Sequence, residues 1–185
     1  DAHAVGLRVL LDIVPNHTSH RHAWFASALA SAPGSRERAR YIFRPGQGHD
    51  GSLPPNDRLS VFGGPAWAQV PGRDGSPGEW YLHLFDATQP DLNWANPAVV
   101  AAMHDVVRFW LDRGVDGFRV DVVHGIGKDP ALPDDPAETH GLPHATLNDT
   151  PQTHEILRGM RRLVDGYPGD RLILGEVYLL DTERV

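Results

Sequence analysis

An arginine and an aspartate two positions apart, Arg119 and Asp121, interrupt the apolar stretch GVDGFRVDVVHG at 114–125. Alternate side chains of a strand share a face, so Arg119 and Asp121 point one way while Phe118 and Val120 point the other. A buried charge without a partner is costly. The two therefore neutralise each other as a structural pair, or they belong to a site. A third ionisable group, Glu176, ends the apolar run RLILGEVY at 171–178 and shares a face with Leu172 and Leu174, at the end of an inward-facing column. Asp121, beside a fixed positive charge, is expected to stay ionised. Glu176 has no cation adjacent in sequence and is expected to hold a proton near neutrality. An ionised carboxylate and a protonated one about 5 Å apart are what retaining cleavage of a glycosidic bond requires.

Each piece has a blander reading. Glu176 alone fits a solvated carboxylate at a strand end, and His17 alone fits a hydrogen-bonded structural histidine. His17, His20 and His22 in HTSHRH match neither common zinc spacing. The Trp24 and Phe25 that follow read as an amphipathic helix.

Three apolar strands present these groups. GLRVLLDIV (6–14) is nearly continuous, as in a parallel strand buried on both faces, and ends in Pro15, Asn16 and His17. DGFRVD and RLILGEVY are the second and third. Between the last two lies a helix opened by Thr150 and Pro151 and ended by Gly166, with Ile156, Leu157, Met160, Leu163 and Val164 on one face. An earlier helix starts at Asn96 and Pro97, stops at Gly114, and carries Val99, Met103, Val106, Trp110 and Leu111 at helical spacing. Strand, helix, strand, helix, strand predicts a parallel sheet with right-handed crossovers. In all three strands the polar residues sit at the C-terminal end, the edge where such sheets carry their sites. Residues 18–94 are rich in Gly, Pro and aromatics, with a helical patch at HAWFASALA and a strand-like EWYLHLF. A structureless loop of that length is improbable, so the segment reads as a small inserted subdomain. The irregular segment KDPALPDDPAETHGLPHATLND follows the second strand.

The totals narrow the class. Seventeen Lys and Arg against twenty-four Asp and Glu give a net charge of -7, with no basic block to track nucleic acid. Cys is absent, which rules out disulfides and thiolate metal sites and suits a cytoplasmic protein. No apolar run is long enough to span a bilayer. The N-terminus lacks the features of a signal peptide and reads as the middle of a fold.

DIVPNH (12–17), QPDLN (89–93), GFRVD (117–121) and GEVY (175–178) resemble, in order and spacing, four signature regions of the α-amylase superfamily, glycoside hydrolase family 13. YIFRPG, FGGPAW and YLHLF are similar to the α-glucosidase and oligo-1,6-glucosidase branch. The resemblance implies an α/β fold: a partial (β/α)8 TIM barrel, strands 3 to 5, with a small subdomain inserted after strand 3. Residues 1–17 would be strand 3, residues 18–94 the subdomain, and residues 95–185 helix 3 to strand 5. It also implies that Asp121 is the nucleophile, Glu176 the general acid/base, Arg119 the residue that orients the nucleophile, and His17 a ligand of the innermost sugar. Asp12 and Asn16 match supporting positions. Of Phe62, Trp67, Trp80, Tyr81 and Trp94, most are expected to form the subdomain's own core, and Phe62 to offer the substrate a face. The implied substrate is a small α-glucoside or oligosaccharide, with no cofactor, metal, nucleic acid or membrane partner.

Two departures refine this. Endo-amylases carry a Lys-His pair soon after the nucleophile, where this chain reads VVHG; Val122 leans towards α-1,6 linkages. In calcium-containing amylases, residues matching Asn16 and Asp91 hold the ion. Here Lys128, matching a lysine of the oligo-1,6-glucosidase branch, is expected to put its ammonium in that place; the alternative is a solvated loop lysine before Asp129. The third catalytic aspartate of the family is absent, so the chain reads as a fragment without activity of its own. A trehalose synthase or α-glucosyltransferase on the same scaffold is an alternative. So is a non-catalytic relative, which has no need for Asp121, Arg119, Glu176 and His17 together.

Overall fold

A computed structural model of the chain describes residues 2–72, 77–135 and 146–179. Its elements are β1 (Leu10–Ile13), α1 (Ala23–Ala30), β2 (Phe43–Arg44), β3 (Trp67–Pro71), β4 (Pro77–Leu82), α2 (Pro97–Leu111), β5 (Gly117–Val120), α3 (Pro151–Asp165) and β6 (Leu172–Gly175). Local chemistry starts both long helices. The Asn96 side chain accepts from the Ala98 N–H ahead of α2, and the Thr150 hydroxyl from the Thr153 N–H ahead of α3, each with proline at the first helical position.

The three strands form a parallel sheet in the order β1-β5-β6. Gly117 of the central strand pairs with Leu10 on one side and Leu172 on the other, and Arg119 likewise with Asp12 and Leu174. A side chain at Gly117 would collide with the Leu172 carbonyl, so glycine is needed there for β5 and β6 to pair. β1 is shorter than the predicted 6–14. Residues 3–5 form a turn of 3-10 helix and Gly6 turns the chain at φ 77°, a conformation only glycine adopts cheaply.

Burial is one-sided, contrary to the expectation of strands covered on both faces. Ile13, Phe118 and Val120 pack under Val99, Met103, Val107, Leu111, Ile156, Met160 and Val164 of the helices. The other face, with Asp12 and Arg119 in register, leaves Leu172 52% and Leu174 54% exposed. The helices cover one side and nothing among the described residues covers the other. The apolar face of α2 is also rotated from the predicted one. The buried set advances by four residues, 99, 103, 107 and 111, and this phase turns Val106 and Trp110 to solvent.

A second, antiparallel sheet runs β2-β4-β3. Ile42, Ala66, Trp67, Leu82 and Leu84 form its core together with Leu132 and Leu147, so the Pro- and Asp-rich segment is packed at both of its described ends. Residues 136–145 of that segment lie outside the described residues. Buried Arg58 ties the same parts together, donating to Asp135 and Thr146, each at 2.6 Å, and to the Pro133 carbonyl. Trp94 packs with the parallel sheet rather than with this core, and its indole N–H donates to the Pro15 carbonyl at 2.8 Å. Among the described residues no helix is long and apolar enough to cross a membrane.

At the N-terminal edge of β5, Asp116 accepts from the Val9 N–H at 2.7 Å and Arg8 at 2.9 Å, and meets His3 at 2.7 Å and Arg171 at 3.4 Å. The Val9 N–H first, then His3 and Arg8, hold its carboxyl well below the usual aspartate range. A carboxyl depressed on folding stabilises fully above its unfolded pKa of about 4 and loses that contribution as pH falls towards the folded value. Asp116→Asn is thus expected to lower the urea midpoint at pH 7, with the gap from wild type narrowing as pH drops below about 4. A gap that stays constant with pH would contradict it.

Candidate active site

β1, β5 and β6 end side by side, and the backbone carries their alignment past the last ladder residues. The Asp121 N–H donates to Ile13 O at 2.9 Å, and the Glu176 N–H to Val120 O at 2.9 Å. Two carboxylates on neighbouring strand ends are thereby placed together on the bare side of the sheet. Arg119 sits between them. One terminal nitrogen reaches both Asp12 oxygens at 2.9 Å and Asp121 at 3.1 Å, and the other reaches Glu176 at 2.7 Å. The arginine and aspartate of GFRVD are therefore not an isolated structural pair, because one guanidinium serves three carboxylates. A planar fork with several fixed donors suits that task and a lysine would not.

The two pKa shifts run in the direction opposite to the expected division of charge. The Asp121 and Glu176 carboxyls meet the two terminal nitrogens of the same guanidinium. Burial first, then the Glu176 hydrogen bond and charge, raise the Asp121 pKa. The Val122 N–H, which donates to Glu176 Oε2 at 3.2 Å, and then the Asp121 hydrogen bond lower that of Glu176. Sequence adjacency misled here. Arg119 is two residues from Asp121 in the chain, yet its shorter contact is with Glu176, which no linear reading places beside it.

His17 stands at the rim. Its ring nitrogens face the Asn16 amide nitrogen at 3.3 Å and the Gln89 amide nitrogen at 2.9 Å, while the Gln89 carbonyl oxygen accepts from the Asp86 N–H at 3.1 Å. Burial pushes its pKa down, and nearby Lys128 opposes the pull of Asp91. A neutral imidazole accepts from one of these two amides, through its unprotonated nitrogen. Phe85 lies 5.5 Å from the His17 ring centroid, and exposed Phe62 meets Phe85 edge-on at 5.9 Å. Phe62 thus extends one aromatic row that starts at His17. Gln89 and Phe85 were not among the predicted site residues. The signal for Gln89 was its place in QPDLN, where only Asp91 was singled out, and Phe85 ended a stretch read as plain strand. His22 caps α1 by accepting from the Trp24 N–H at 3.1 Å, a local structural use.

Behind His17, Lys128 is buried with its ammonium 2.6 Å from Asn16 Oδ1, 2.9 Å from Gly125 O and 3.2 Å from Asp91 Oδ2. The other Asp91 oxygen accepts from Asn16 and from the Leu84 N–H, each at 3.2 Å. The lysine therefore lies between Asn16 and Asp91 and is not a solvated loop residue. One chain of contacts joins the second sheet, the end of β1 and the turn after β5.

The chain matches the family described as Alpha amylase, catalytic domain, over residues 1–185. It is 38% identical over 190 residues to the alpha-glucosidase of Culex pipiens, covering 99% of this chain and 31% of that protein. To the oligo-1,6-glucosidase of Parageobacillus thermoglucosidasius it is 42% identical over 168 residues, covering 89% and 28%. The solved structure of isomaltulose synthase from Erwinia rhapontici NX5 superposes with a TM-score of 0.84 at 37% identity, covering 95% of this chain and 30% of the other. The chain thus spans less than a third of the length of these relatives. It belongs to the α-amylase family, glycoside hydrolase family 13, and is similar to α-glucosidases, oligo-1,6-glucosidases and trehalose-6-phosphate hydrolases of that family.

Proposed function

We propose that the chain is the central part of the catalytic domain of a retaining, exo-acting α-glucosidase that releases terminal glucose from short α-glucosides. In this reading β1, β5 and β6 are strands 3 to 5 of a (β/α)8 barrel, and residues 18–94 are the subdomain inserted after the first of them. The observation that carries it is the pair of carboxyls, Asp121 and Glu176, brought from adjacent parallel strand ends onto the two terminal nitrogens of one guanidinium. Such closeness suits a retaining pair, about 5 Å apart, and not the wider inverting arrangement with a water between the two.

Asp121 attacks the anomeric carbon while Glu176 gives its proton to the departing glycosidic oxygen. Glu176 then takes a proton from water, whose oxygen displaces Asp121 and releases glucose with its configuration kept. The two carboxyls titrate as a unit and share one proton between their two steps. Without sugar, burial first and then the Glu176 contact raise the Asp121 pKa. For the first step Asp121 must be ionised and the proton must sit on Glu176, beside the leaving oxygen. His17, neutral and aromatic-backed, hydrogen-bonds the bound glucose, and Phe62 lies further along the same row.

The full-length protein carrying this sequence is expected to hydrolyse an aryl α-glucoside, maltose or isomaltose, with α-glucose as the first product seen by NMR. First-formed β-glucose, or no hydrolysis of any of the three, would refute the reading. The isolated 185-residue chain is expected to show no turnover, because the sheet face bearing the carboxyls is bare and binding energy for the transition state is missing. Turnover by purified chain free of host enzyme would contradict this. The likeness to an isomaltulose synthase favours a second reading, in which a sugar hydroxyl intercepts the same covalent intermediate. Isomeric disaccharide in the product mixture would select it.

A further inference from the structure

Val122 follows Asp121 directly and has a backbone that valine rarely adopts, φ 47° and ψ 41°. In this left-handed region Cβ crowds the carbonyl, and a β-branched side chain makes it worse. Such a residue persists only where its surroundings over-determine it, which is common at functional sites. Here the Gly125 N–H donates to the Val122 carbonyl at 3.1 Å, and the remaining contacts come from Glu176. The Val122 N–H donates to Glu176 Oε2 at 3.2 Å, and the next N–H, of Val123, donates to the Glu176 carbonyl at 3.1 Å. Glu176 in turn donates its own N–H to Val120 O at 2.9 Å. Close packing reinforces the clamp, since a side chain at Gly175 would come within 2.8 Å of Val123 Cγ1. An extended residue at 122 would continue β5 and send these two N–H groups to opposite sides. The left-handed turn instead makes them converge, as in the concave backbone nests that hold anions.

We propose that Val122 is a positioning residue whose left-handed backbone aims two successive N–H groups at Glu176 and so fixes that carboxyl relative to Asp121. The catalytic importance of this clamp rests on the function proposed above, but its existence does not. The nearby donor also accounts for much of the lowered pKa of Glu176.

The test uses the full-length protein labelled with 15N-valine and carrying Asp121→Asn, so that Glu176 alone of the pair titrates. The Val122 amide proton is expected to move upfield as Glu176 takes up its proton, and this movement is expected to vanish when Glu176→Gln is added. An amide that ignores the titration, or moves equally in both proteins, overturns the proposal whatever the activity. Kinetics supply the second arm. Val122→Pro removes the N–H and forces φ negative, whereas Val122→Gly keeps both the donor and the turn. The proline variant is expected to lose roughly 100-fold more kcat/KM than the glycine variant. It also raises the pH limb belonging to Glu176, which the glycine variant leaves in place. Equal losses with unmoved limbs overturn the proposal, and if the proline variant does not fold, the amide titration decides. Failure of the proposed function would look different: wild type would not hydrolyse α-glucosides, or Asp121→Asn would remain fully active.

Discussion

Asp121→Asn in the full-length protein should lower kcat on an aryl α-glucoside by at least about 10^4-fold, since it removes the nucleophile and leaves the site's shape. Asparagine is isosteric, and its carbonyl oxygen can still accept from Arg119, which now reaches Asp121 at 3.1 Å. The fold should barely notice. Asp121 contributes one of three carboxylates around Arg119, and Asp12 and Glu176 remain. The substitution also removes a carboxyl whose pKa is pushed up first by burial and then by Glu176. The thermal midpoint is therefore expected to stay level or rise. Steady-state rates on a substrate with a good leaving group, with circular dichroism melts alongside, separate the two effects. A variant keeping a tenth of wild-type turnover would remove Asp121 from the nucleophile's role, and one that fails to fold would make it structural.

Lys128→Met is the second large effect, and it falls on stability. The Lys128 side chain is 4% exposed and Asp91 0%. Burial pulls the lysine pKa down against the attraction of Asp91, so the net worth of the intact pair is small. Breaking the pair is another matter. A methionine leaves Asp91 charged and uncompensated in a buried place, at a cost of about 3–5 kcal/mol. Asn16 Oδ1 and the Gly125 carbonyl lose a donor as well. Adding Asp91→Asn removes the stranded charge while keeping an acceptor for Asn16 and the Leu84 N–H. The double variant is therefore expected to recover at least half of the loss, a coupling that a denaturant double-mutant cycle on the full-length protein measures. A single-variant cost below about 1 kcal/mol, or a double variant costing the sum of the two singles, would show that the lysine does not neutralise Asp91.

What the sequence determined by itself is whatever depends on residue spacing along one element. The alternation of Arg119 and Asp121 in a strand, the caps at Asn96 and Thr150, and the order of strands and helices are local properties, and all can be read linearly. Lys128 was named for the Asn16 and Asp91 position through the family resemblance, with a solvated loop lysine as the alternative, and its ammonium lies 2.6 Å from Asn16 and 3.2 Å from Asp91.

Tertiary structure decided what depends on which ends meet. The alignment of β5 with β6 put Arg119 against Glu176 as well as Asp121, a contact that adjacency in the chain does not reveal. It also brought Gln89 and Phe85 to His17 from 72 and 68 positions away, and aimed the Val122 N–H at Glu176, 54 positions on. The phase of α2 likewise followed from the sheet beneath it, which selected Val107 over Val106 although either side chain is apolar enough to be buried. Pattern along a chain specifies which faces are apolar and which residues carry charge. Only the packing of one element on another sets the distances at which those charges meet, and electrostatic energy and proton sharing depend on those distances.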